Sequence, residues 1–66
     1  MDVQSKVAQY VQSFGIKQSF ISEKTGMSPT KISMILNNNQ KMTADEFELF
    51  CKALRKQPGD FISVED

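Results

Sequence analysis

The chain has 66 residues, eight basic side chains against eight acidic ones, and no histidine. A chain of this size buries only about 60% of its unfolded surface, which allows one small core and little room for a catalytic pocket. The single cysteine, Cys51, excludes an internal disulfide and a cysteine-pair metal site, and the missing histidine removes the usual zinc ligand and the commonest general base.

An apolar share of 39% with 24% charged residues fits a folded, soluble domain. No apolar run approaches the roughly 18 residues that suggest a membrane span. The first residues lack the basic start and apolar centre of a signal peptide. The expectation is one cytoplasmic domain over residues 1–66, with no membrane association, cofactor, metal or small-molecule ligand. The zero net charge hides an asymmetry. Residues 17–41 carry four lysines against Glu23 alone, a net of +3. Residues 42–66 carry three cations against six acids, a net of −3. One part of the chain is therefore basic enough to face a polyanion.

Val3, Val7, Tyr10, Val11 and Phe14 recur at helical spacing and predict a first helix over residues 3–14, with Asp2 at its start and Gly15 at its end. A second helix is expected over residues 18–25, with Ile21 and Phe20 inward and Gly26 as its stop. Ser28 followed by Pro29 is the clearest start signal in the chain. The serine hydroxyl accepts from an orphan N–H, and proline at the first helical position has none to lose. Ile32, Ile35 and Leu36 form the inward face of this third helix, which should stop near Asn37 and Asn38. Thr43 and Glu46 form a capping box for a fourth helix over about residues 44–56, with Ala44, Phe47, Phe50, Cys51 and Leu54 inward. Pro58 begins a short turn anchored by Phe61 and Ile62.

On a wheel of 100° per residue, the third helix turns Thr30, Met34 and Asn37 away from its apolar face, with Lys31 and Ser33 at the flanks. An ordinary solvent face more often carries glutamate and lysine. This face suits base edges better. Thr30 can donate to a base or meet a thymine methyl, Met34 can meet thymine methyls, and Lys31 can reach guanine or a phosphate. Phosphate contacts are expected from the flanks. Lys17 and Gln18 stand at the start of the second helix, where free N–H groups and a partial positive charge favour anions. Asn37, Asn38, Asn39, Gln40 and Lys41 follow the third helix. As single residues, each of these reads as an ordinary solvated side chain. Their grouping on both sides of one helix favours the functional reading.

Residues 18–37 resemble the helix-turn-helix of the Cro/CI repressor family, also called XRE. Gln18 opens the motif. Ile21 is its apolar fourth position, Ser22 its small fifth, and Gly26 its turn glycine. Met27, Ile32 and Ile35 fill its tenth, fifteenth and eighteenth positions. The resemblance extends over nearly the whole chain. It implies an all-α, five-helix, lambda-repressor-like domain that binds double-stranded DNA, usually as a homodimer on a near-palindromic operator. Carried over, it adds Pro29 and Ser33 to the base-reading set of Thr30, Lys31 and Met34, and it places Gln18, Asn37 and Lys41 at phosphates. Three residues depart from the family pattern: Pro29 where a long base-reading side chain often stands, Asn38 in place of a glycine, and Thr25 at a usually apolar site. The recognition helix offers no arginine or glutamine.

The expected function is a small bacterial or phage transcriptional regulator, acting as a repressor in the nucleoid. Phe61 and Ile62 are the candidates for a dimer surface. The rival reading is a protein-interaction module on the same fold, either an antirepressor or a complex subunit. An enzyme is rejected, because no histidine activates the many hydroxyls and Cys51 lies in an apolar stripe.

Overall fold

The computed structural model describes residues 2–62. Four α-helices follow one another: α1 (Val3–Ser13), α2 (Gln18–Thr25), α3 (Pro29–Leu36) and α4 (Ala44–Leu54). A 3-10 turn, Pro58–Asp60, closes the described chain. The fold class is all-α as expected, but the fifth helix is reduced to this one turn. The Asp60 carboxylate accepts from the Gln57 N–H at 2.8 Å and caps the start of this turn.

Local chemistry sets most of the boundaries. Asp2 accepts from Ser5 N–H at 2.8 Å, and Ser28 accepts from Lys31 N–H at 3.1 Å. Thr43 and Glu46 complete their capping box, with bonds of 2.9 and 3.1 Å. Helix α1 ends with Gly15 in the left-handed region at φ 61°. The Ile16 N–H then donates to the Val11 carbonyl and the Gly15 N–H to the Gln12 carbonyl, the paired bonds of a Schellman stop. Asn38 takes the same role after α3 at φ 63°. Helix α4 ends two residues earlier than the sequence suggests, because Arg55 adopts φ 56°.

The core gathers Val7 and Val11 from α1, Ile21 from α2, Ile32 and Ile35 from α3, Phe50, Cys51 and Leu54 from α4, and Phe61. Helix α2 packs on both α3 and α4, and α1 packs on α3. Burying each large aliphatic or aromatic side chain here stabilises the fold by about 1.5–3 kcal/mol.

Three expected core residues lie outside: Phe14, Phe20 and Ala44, the last on the exposed first turn of α4. Phe14 is 69% exposed and leans on Tyr10, with ring centres 4.6 Å apart. The left-handed turn at Gly15 explains this: the chain reverses and sends Ile16, not Phe14, onto the core. Phe20 is also exposed, with the Lys24 ammonium 5.7 Å from its ring. On α2 only Ile21 points fully inward. Phe61 differs in the other direction. It is 5% exposed, edge-on to Tyr10 and Phe47, and so unavailable as a dimer contact, whereas Ile62 is exposed.

Candidate nucleic-acid interface

The α2–α3 turn is held by side chains. Gly26 adopts φ 79° and donates its N–H to the Ser22 carbonyl. Thr25 donates its hydroxyl to the Ile21 carbonyl at 2.7 Å and accepts from the Met27 N–H at 3.1 Å. Ser22 donates to the Met27 carbonyl at 2.6 Å. The polar Thr25 at a usually apolar site is therefore satisfied, and it ties the turn to α2.

With this turn fixed, α3 presents Pro29, Thr30, Met34 and Asn37 to solvent, and Ser33 lies half-buried beside them. Met34 is 39% exposed, a large apolar side chain on a polar face. Asn37 donates to the Ser33 hydroxyl at 3.3 Å, which orients both side chains. Lys31, at the edge of this face, forms an ion pair through its ammonium with Glu46 on α4 and stays partly exposed. Glu46 is 7% exposed, and Lys31 together with the Thr43 N–H holds its carboxyl below the usual carboxylate range.

The start of α2 is the exception among the four helices. Asp2, Ser28 and Thr43 each cap a helix with a side-chain oxygen, whereas Lys17 gives α2 no side-chain cap. The first N–H groups of α2 are thus left for an outside acceptor. A groove beside them brings together Lys17, Gln18 and Asn37, floored by Ala8, Val11, Ile16 and Leu36. A second groove continues from Asn37 to Asn38 along Ser5, Gln9 and Gln12 of α1. Gln12 lines both grooves, and nothing in its helical register had marked it.

Lys41 lies elsewhere, in a depression lined also by Asp2 and Gln4, and the preceding Gln40 carbonyl accepts from the Gln4 amide. Ser5 N–H chiefly, with a smaller pull from Lys41, lowers the Asp2 carboxyl. The backbone of this loop is held by Gln4, which sequence reasoning missed. Gln4 occupies the inward register of Val11, seven residues on, where a polar side chain is out of place unless it has partners. That is the signal that could have found it.

These features define a helix-turn-helix protein whose exposed recognition helix and uncapped flanking helix are arranged for double-stranded DNA. Residues 8–66 match the Cro/C1-type HTH DNA-binding domain, and the chain belongs to that family. Comparison with curated proteins and with solved structures gave no match. No helix among the described residues is long and apolar enough to cross a membrane.

Proposed function

We propose that this protein is a small transcriptional regulator, a repressor of bacterial or phage genes, that acts as one domain and occupies a near-palindromic operator. Helix α3 lies in the major groove, with Pro29, Thr30, Ser33 and Met34 against base edges. Lys17, Gln18, Asn37 and Asn38 take the sugar-phosphate backbone on one flank, and Asn39, Gln40 and Lys41 take it on the other. In a homodimer, two such helices reach grooves about 34 Å apart. Ile62, exposed beside Val3, Met42 and Phe47, is the residue available for the dimer contact. The observation that carries this reading is the pairing of an exposed, uncharged α3 face with an α2 start that has no side-chain cap.

The protein is read as a binder, not an enzyme, and acts in the cytoplasm. Cys51 is buried, and burial pushes its thiol up, away from a reactive thiolate. A protein partner on the same fold is the second reading, favoured by the exposed Phe14, Phe20 and Ile62. An NMR amide titration with a random-sequence duplex separates the two. Shifts at residues 17–18 and 30–41 that collapse as salt is raised are expected. A surface that stays silent at low salt overturns the DNA reading and favours the protein partner.

A further inference from the structure

One neutral side chain fixes the backbone of the loop between α3 and α4. The Gln4 amide nitrogen donates to the Ile35 carbonyl at 2.8 Å and to the Gln40 carbonyl at 2.7 Å. Its amide oxygen accepts from the Met42 N–H at 3.0 Å. Both amide hydrogens and the acceptor are therefore engaged, and none of the three partners is a side chain. The neighbouring Ser5 hydroxyl accepts from the Asn38 amide at 3.3 Å. Lys41 stands exposed between two residues that Gln4 holds directly.

We propose that Gln4 is a positioning residue for DNA: its amide sets where Lys41 and the loop backbone meet a phosphate. This rests on the reading of residues 38–41 as a phosphate-contacting loop. A flexible lysine on an unfixed loop spends little time at one phosphate. Clamped on both sides, its ammonium is confined to the region where that phosphate lies. The amide achieves this without adding a charge that would compete with the phosphate for the ammonium, as a carboxylate in the same place would.

The test is the salt dependence of binding to a labelled random-sequence duplex, read between about 50 and 200 mM salt, where each phosphate contact contributes a factor of about 3.5 in affinity. Gln4→Met keeps the length of the side chain and removes all three bonds. If circular dichroism shows it folded at the assay temperature, it should lose about threefold less affinity over this range than the wild type. Lys41→Ala should show the same reduction, and the double variant no more than either alone. Gln4→Asn is the second variant should Gln4→Met fail to fold: its amide is one methylene too short to span both carbonyls, and the same shallower dependence is expected. A folded Gln4 variant with the wild-type salt dependence overturns this proposal alone, as does a double variant whose losses add. A wild-type protein with no salt-dependent binding overturns the DNA reading itself, and this proposal with it.

Discussion

Replacing Glu46 tests how α3 is anchored to the rest of the molecule. The carboxylate has two separable tasks. One oxygen accepts from the Thr43 N–H at 2.9 Å, and the other meets the Lys31 ammonium. Glutamine keeps an acceptor for Thr43 and loses the ion pair. Because the Lys31 side chain is 41% exposed, screening holds that loss to about 0.5–1 kcal/mol. Alanine loses the cap bond as well and leaves the Thr43 N–H without its partner, for a total of about 2 kcal/mol. Against the roughly 3–10 kcal/mol expected for a domain of this size, both losses are measurable. At about 4–8 °C per kcal/mol, alanine should lower Tm by roughly 8–16 °C and glutamine by roughly 2–8 °C. The sign with pH follows from the depressed carboxyl. The contribution is complete above the ordinary carboxylate range and disappears as pH falls through the lower value of the native state. Protonated Glu46 resembles glutamine, so in thermal unfolding Glu46→Gln and the wild type should converge once the pH has fallen below the depressed native-state value. A gap that persists there, or a glutamine variant as unstable as alanine, would refute the division of roles.

Three further outcomes are expected. Met34→Ala should weaken operator binding by about tenfold, roughly 1.4 kcal/mol, and random-duplex binding hardly at all; competition titrations that show equal loss on both would remove Met34 from base reading. Lys41→Ala should make the salt slope shallower by about 0.9, whereas Lys31→Ala, whose ammonium rests on Glu46, should leave it unchanged; a slope that moves with Lys31 instead would reverse the two roles. Gly26→Ala should cost about 1 kcal/mol in urea unfolding through its φ of 79° alone, since no neighbouring atom lies within 4 Å of the added methyl, and Gly26→Asn should cost less.

Much of the fold could be read in the sequence because its signals are local. Ser28 with Pro29, the Thr43–Glu46 box and the glycines at 15 and 26 each act within a few residues, and the structure uses each as its chemistry suggests. The exposure of Thr30 and Met34 followed from the register of Ile32 and Ile35. What failed depended on distant parts of the chain. Phe14 has the spacing of a core residue, but where the chain goes after Gly15 decides which side chain is buried. Phe61 was open to two readings until Tyr10 and Phe47 closed around it. Arg55 gives no hint of a left-handed stop, because arginine has no preference for one. The ion pair of Lys31 could not be foreseen either, because its partner lies fifteen positions on in α4. Gln4 was invisible for the same reason, since all three of its partners lie more than thirty residues away.

That separation also has a kinetic consequence. The hydrogen bonds of the α2–α3 turn and of the helix starts close within two to five residues, whereas those of Gln4 and Ser5 span 31 to 38. Helical folds dominated by short-range contacts fold in microseconds to milliseconds, and closures over long stretches of chain come late. The clamp is therefore expected to form after the rate-limiting barrier. Loosening Gln4 should leave the refolding rate nearly unchanged and speed unfolding, so this amide governs how long the folded molecule lasts more than how fast it forms.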